Sequence, residues 1–508
     1  MLHGNKKRTD FFFYLSLAIL GLLLFRLPGT GEPVLYSDSE SYMTVLRYAE
    51  GVMPVYPLYL QLNRFLFGEE IYLIAVNWEQ AVFATVCLML FVAMLRKRFE
   101  LPYFMGYGCF LFGMLPFTTN LPEGMTTQTI LTEGIAYAAF YLFMGALLKS
   151  VWEKNVRWFL ALLFMVVFLS ALRAQMQILY GVCGLVFWYI LMTKRKKGRL
   201  PGWFLTLLGL AGCAVISLSG IWLTSRISSA YQQQIVRNIV RYNQEHAQEQ
   251  GNGDKDAETV KAESEAHAQR YIAAPNQYVT LILSRTMYEA EEQDYRLFEE
   301  QEMQEIYLAM FQAVDEEQCR YVYATPGLWM WKDIVGGIGR IGGICTNAQN
   351  EYYEEHADVY AQQDYATVRN GQQLQIGVTL LKAHFGRFLY HTLMLMPQAF
   401  ISTVFFQIAP IYLLCHIATL LLYLSALALM IWGFADGRTD KGAASFMAAV
   451  LGVNLILIGV ISIIFFGQQR YMVYNFGIFY MSYIVLLWEL WKTHGKSWIT
   501  RWKEKRKS

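Results

Sequence analysis

Charge is scarce in this chain. Of its 508 residues only 16% are Asp, Glu, Lys or Arg, whereas 55% are hydrophobic and 16% aromatic. That shortage excludes an ordinary soluble protein, and the few charges fall in blocks between long apolar runs. Neither sign dominates: the formal net charge is +2, with basic residues confined to short loops and the two ends. No continuous basic face exists, so nucleic acid is excluded as a partner. Cysteine patterns are missing too. No Cys-x-x-Cys and no His-x-x-x-His spacing occurs, which excludes a structural zinc site. Cys87, Cys109, Cys183, Cys213 and Cys415 lie in apolar runs and act as small hydrophobes. Cys319 and Cys345 lie in the one large polar segment, where a disulfide or two free thiols are both open readings.

What is present is a series of apolar runs, each near the ~20 residues needed to cross roughly 30 Å of hydrocarbon. They fall at 10–27, 72–95, 102–117, 128–148, 157–173, 176–193, 203–224, 411–433, 444–466 and 471–490. The expected fold class is therefore an all-α polytopic membrane protein of about ten transmembrane helices with a mainly helical extracytoplasmic domain. Lys6 to Arg8, Arg96 to Arg98, Lys149 with Lys154 and Arg157, Lys194 to Arg199, Arg438 with Lys441, and Lys492 to Lys507 sit on alternate loops. The positive-inside rule makes those loops and both termini cytoplasmic. Basic residues precede the first span but no small-residue cleavage site follows it, so it reads as a retained anchor.

By alternation, 28–71, 118–127, the hinge at 173–176, 225–410 and 467–470 face outside. The stretch 1–224 forms an N-terminal transmembrane module whose first outer loop is 28–71, and 225–375 is long enough for one helical domain. Residues 376–410 hold an apolar run that, counted as a crossing, would place the basic tail outside. An interfacial or re-entrant segment is expected there instead, followed by C-terminal spans and a basic cytoplasmic tail in 411–508. Gly337-Ile-Gly-Arg-Ile-Gly342 satisfies a dinucleotide-binding spelling but follows no βαβ pattern. It reads as a Gly-rich loop packed close to its neighbours.

The residues able to carry chemistry gather on the outer side. Tyr36-Ser-Asp-Ser-Glu-Ser-Tyr42 follows the first span and places Asp38 and Glu40 where membrane meets water. Either carboxylate can accept a proton or help hold a divalent cation, and the bland alternative is a solvated loop in which Ser37 or Asp38 caps a helix starting near Ser41. Glu133 ends a span on the same side, and an acid that close to hydrocarbon is a functional candidate. Arg173 and Arg470-Tyr471 open or close spans there as well. One such Arg is an interfacial anchor, whereas several with acids between them suit an anionic group such as phosphate.

In their order, these features resemble the C-type (GT-C) membrane glycosyltransferases, in the branch that includes protein O-mannosyltransferases and the aminoarabinose transferase of lipid A. The resemblance rests on Asp38-Ser-Glu-Ser-Tyr42, Arg47-Tyr-Ala-Glu-Gly51, Pro54-Val-Tyr-Pro57, Arg64 to Gly68, Pro116, Thr132-Glu133, Arg173 and Arg470-Tyr471. It covers the first 200 residues and the last 40 but not 225–375. Ser39 separates acids that are often adjacent in the family, Val55-Tyr56 replaces a His before the prolines, and Ala174 stands where Pro is common.

The resemblance implies an enzyme of the cell envelope in the plasma membrane. It would move a sugar from a polyprenyl-phosphate-linked donor to an envelope glycan, lipid or protein acceptor outside the membrane, with inversion. Asp38 would be the catalytic base, Arg470 the phosphate ligand with Arg173 a second candidate, and Glu133 and Tyr42 positioning groups. Glu40 and Tyr471 join them in the substrate site. No cofactor is certain, and a divalent metal is an optional one, with Asp38 and Glu40 as its donors. Two alternatives stand beside this reading: a transporter or flippase for lipid-linked sugar, and a polymerase or ligase of envelope polysaccharide.

Overall fold

The computed structural model describes residues 2–27, 32–43, 53–121, 123–193, 202–245, 277–326, 330–356, 365–406, 411–464 and 469–505. Its helices run in chain order, beginning with α1 (Leu2–Arg26), α2 (Ser37–Met43), α3 (Val55–Phe67), α4 (Tyr72–Phe99) and α5 (Tyr103–Gly113). Next come α6 (Glu133–Glu153), α7 (Val156–Leu172), α8 (Leu179–Thr193) and α9 (Gly202–Glu245). A second group comprises α10 (Gln277–Met287), α11 (Gln301–Glu316), α12 (Met330–Glu355), α13 (Tyr365–Ala383) and α14 (Phe385–Ser402). The chain closes with α15 (Tyr412–Ala435), α16 (Lys441–Ile464), the single turn α17 (Gln469–Met472) and α18 (Phe476–Lys505). Among the described residues there is no strand, only an isolated parallel bridge between Val34 and Thr129.

Among the described residues, eight helices are long and apolar enough to cross a bilayer: Arg8–Arg26, Tyr72–Phe99, Glu133–Glu153, Ala174–Thr193, Thr206–Ile235, Tyr412–Ala435, Lys441–Ile463 and Gln469–Gly495. The chain is an all-helical, multi-pass membrane protein. Each of the eight overlaps an expected span, and the other two expected spans are shorter helices. α5 has 11 residues before Leu115–Thr118 tightens into a 3-10 turn around Pro116, and α7 has 17. At 1.5 Å per residue these reach only about 17 Å and 26 Å. Outward faces are apolar, as lipid requires; α15 exposes Leu413, Leu414, Ile417, Leu420, Leu421 and Leu424.

At the centre is α6, on which every residue from Glu133 to Tyr141 is buried. Gly134, Ala136, Ala138 and Ala139 keep that stretch slim, which lets neighbouring backbones approach. α6 and α7 form an antiparallel hairpin. Lys154 ends α6 in the left-handed region with φ of 52°, and the Asn155 side chain caps α7 by accepting from the Arg157 amide at 3.0 Å. The start of α6 and the end of α7 are thereby brought to one end of the bundle. Basic residues collect at the other end, where Arg96 lies over Phe13 and Tyr103, Arg98 bonds Asp440 at 3.0 Å, and Lys492 donates to the Phe99 carbonyl at 3.1 Å.

The polar segment has its own apolar core, built from Leu283, Met287, Ile306, Tyr307, Met310, Ile338, Ile341 and Leu380 among others. The Gly337–Gly342 stretch is helical, inside α12, and not the loop expected. Its glycines serve close packing: a Cβ on Gly342 would stand 2.6 Å from Thr280 of α10, and one on Gly337 would stand 2.5 Å from the Cys319 carbonyl. Cys319 and Cys345 are both buried in this core as free thiols. α9 carries the span at 203–224 straight into the polar stretch as far as Glu245, so the expected boundary at 225 falls within a helix.

Candidate functional site

Helix polarity explains the central contact. Glu133 occupies the first turn of α6, where the positive end of the helix dipole favours an acid. Arg173 follows directly on the C-terminus of α7, where the dipole favours a base. Since the hairpin sets these ends side by side, the two groups form a salt bridge whose side chains are only 4% and 11% exposed, respectively. The Thr132 hydroxyl adds a hydrogen bond to Glu133 at 3.1 Å.

Next to this pair stands a second, more open one. Arg470, on the short turn before α18, donates through Nη1 to the Asp38 carboxylate at 2.8 Å, across 432 positions of sequence. Here the side chains are 39% and 42% exposed for Arg470 and Asp38. The contrast assigns different work to the two pairs. An exposed ion pair contributes about 0–1 kcal/mol, whereas removing one partner of a buried pair costs about 3–5 kcal/mol. Glu133 and Arg173 form a closed, buried pair, whereas Asp38 and Arg470 are paired at a part-exposed position.

Tyr471 joins the two pairs. The Arg173 and Arg470 guanidiniums lie 5.5 Å and 5.1 Å from its ring centroid, and the Arg470 Nη2 also donates to its hydroxyl at 3.1 Å. Tyr42 packs edge-on against Tyr56 at 5.3 Å and lies within the field of Glu133, Arg173 and Asp38. Burial, and then the Glu133 carboxylate, push the Tyr42 phenol up to about 12, which keeps it a protonated donor at neutral pH.

Asp38, Tyr42, Glu133, Arg173, Arg470 and Tyr471 are therefore brought together from distant parts of the chain. Glu40 lies on α2, but its side chain falls outside the described residues. Of the two donors named for an optional metal, only Asp38 has a described side chain. A cation at Asp38 would compete with the Arg470 guanidinium, and among the described residues no group of three or more acidic, His or Cys side chains could hold one.

Further residues at the site carry more than their spacing suggested. Ser39, which separates the two acids, is fully buried; its hydroxyl accepts from the Tyr36 amide and donates to the Ile130 carbonyl, both at 2.9 Å. With Val34 bonded to Gln128 and Ile130, and Tyr36 donating to Glu123, it fastens the α2 segment to the strand-like run before α6. Tyr137 donates to the Arg470 carbonyl at 3.0 Å and stacks edge-on against Tyr474, whose hydroxyl accepts from Gln175 at 3.4 Å. The signal for Tyr137 was its position four residues after Glu133, on the same helical face. Replacing Ser39 by Ala removes the partner of the buried Ile130 carbonyl and of the part-buried Tyr36 amide, a loss of about 1–3 kcal/mol felt locally. The Ser39→Ala variant is expected to exchange backbone amides of 36–43 faster than the parent; unchanged exchange there would remove Ser39 from this role.

Comparison with known protein families, characterised proteins and solved structures returns no match.

Proposed function

We propose that this protein is an inverting glycosyltransferase. It takes a sugar from a polyprenyl-phosphate-linked donor and transfers it to an envelope acceptor on the extracytoplasmic face, within a C-type architecture. The observation that carries the reading is the Asp38–Arg470 contact: a carboxylate and a guanidinium from opposite ends of the chain, each partly open, beside a buried pair that fixes them. A lipid-linked donor needs a site at a membrane surface. Its departing phosphate needs a cation, and the acceptor hydroxyl needs a base within hydrogen-bond reach.

In this scheme the phosphate engages Arg470, and the Asp38 carboxylate, exchanged from that guanidinium, accepts the proton of the acceptor hydroxyl. The acceptor oxygen attacks the anomeric carbon from the face opposite the phosphate. As that bond forms, the bond from carbon to phosphate oxygen breaks, and polyprenyl phosphate leaves with its charge met by Arg470. Arg173 takes no direct part, because Glu133 already neutralises it. It acts through the Tyr471 ring that it shares with Arg470. Tyr42 donates from the same corner.

The test uses polyprenyl phosphate itself, the product common to every sugar and acceptor. A charge-assisted contact contributes about 1.5–3 kcal/mol, so Arg470→Gln should weaken its binding about ten- to hundredfold. Equal affinity in Arg470→Gln and the parent protein would contradict the assignment.

A further inference from the structure

α14 has its polarity reversed. Its buried face carries His391, Thr392, Gln398 and Ser402 along with Leu395, Ala399 and Ile401. Those polar groups meet partners inside: His391 pairs with the buried Glu289, and Thr392 accepts from Arg285 at 2.7 Å. Its exposed face carries Phe385, Leu389, Tyr390, Leu393 and Met394, between 37% and 58% accessible, with Gly386 and Pro397. At 100° per residue these positions fill one continuous half of the helix, and no Asp, Glu, Lys or Arg falls among them.

α11, which shares the apolar core that Leu395 of α14 enters, shows the opposite pattern, apolar inside and polar outside. It buries Met303, Ile306, Tyr307, Met310, Phe311 and Val314 and exposes Gln301, Glu302, Gln312 and Glu316. The two helices belong to one core, so their difference reflects what lies outside each. In water, an exposed apolar side chain of this size forgoes up to about 1.5–3 kcal/mol that burial would supply. A helix with its polar groups inside and its apolar groups outside is stable where the surroundings are hydrocarbon.

Its attachments lead to the same surroundings. α14 packs against the spanning helix α16 and against α17, and the residues that follow it are fastened to spans. Thr403 bonds the Tyr423 hydroxyl of α15 at 2.7 Å, and the Val404 carbonyl accepts from Tyr480 of α18 at 2.7 Å. Ile401 and Phe405 join Tyr412 and Cys415 of α15 in one apolar cluster, next to the lipid-exposed Leu413 and Leu414. We propose that the Phe385–Met394 face of α14 lies against the acyl chains of the bilayer that the protein spans, so that the polar segment is partly embedded, with α11 in water and α14 in lipid.

Spin labels at Leu393→Cys and Leu389→Cys, in separate variants reconstituted in phosphatidylcholine vesicles, test this against a label at Gln312→Cys. The labelled unaltered chain supplies the background from native thiols. Labels on α14 should collide preferentially with oxygen, which concentrates in hydrocarbon, and the α11 label with a water-soluble nickel chelate. An α14 label as open to nickel as Gln312→Cys would place this face in water and overturn the proposal. Access to neither reagent would mean that a second copy of the chain covers it, and oxygen access lost on adding polyprenyl phosphate would assign the face to a prenyl chain; either result also overturns it. Two labelled positions guard against one variant failing to fold.

Discussion

Replacing Asp38 by Asn is expected to lower sugar transfer by about 10²- to 10⁴-fold, the usual contribution of a positioned general base. Its thermal stability should hardly change, because among the described residues the charged partner of Asp38 is the half-exposed Arg470, a pairing worth about 0–1 kcal/mol. That separation gives the test its force. A structural carboxylate would lose stability and activity together, whereas a base loses activity alone. Transfer at the parental rate in Asp38→Asn, measured with the same lipid-linked donor, would sink the assignment.

The reverse outcome is expected at Glu133. With Gln in its place, the Arg173 guanidinium is left buried with no carboxylate against it, and the loss of stability should be about 3–5 kcal/mol. The double variant Glu133→Gln/Arg173→Gln removes both charges and should recover part of that loss, because no buried charge remains unpaired. Thermal unfolding in detergent measures both. If the double variant lost the sum of the two single losses, the pair would not be coupled and the contact would have no structural role. Activity should fall in Glu133→Gln as well, since Arg173 helps to hold the Tyr471 ring against Arg470.

Much of this arrangement could be read from the sequence for physical reasons. Apolar runs of bilayer length mark spans regardless of packing, and eight of the expected ones are helices that can cross. α5 and α7 were harder, because hydropathy counts apolar residues without showing where a helix stops; Pro116 and its 3-10 turn shorten the first, and Arg173 closes the second. The gathering of Asp38, Glu133, Arg173 and Arg470 at one end followed from counting crossings. Which acid meets which base did not. Glu133 with Arg173 depends on the α6–α7 hairpin, and Asp38 with Arg470 on a contact across nearly the whole chain.

Ser39 is the sharpest case. In the sequence it is an interruption between two acids, and only the fold shows its hydroxyl bridging Tyr36 and Ile130 to hold α2 in place. The reversed face of α14 was half legible. Its apolar residues indicated contact with the membrane, but the partners that let His391 and Thr392 face inward, Glu289 and Arg285, lie about a hundred positions earlier. Nothing local in 385–402 announces them.

The most direct measurement is a structure of the protein with polyprenyl phosphate bound in a lipid nanodisc. The expected result has the phosphate against Arg470, its ester oxygen facing an Asp38 carboxylate released from the ion pair, and the prenyl chain leaving into the bilayer. A phosphate bound away from Arg470, with a continuous aqueous path through the helices, would contradict transfer at this site and favour passage of a lipid-linked sugar across the membrane.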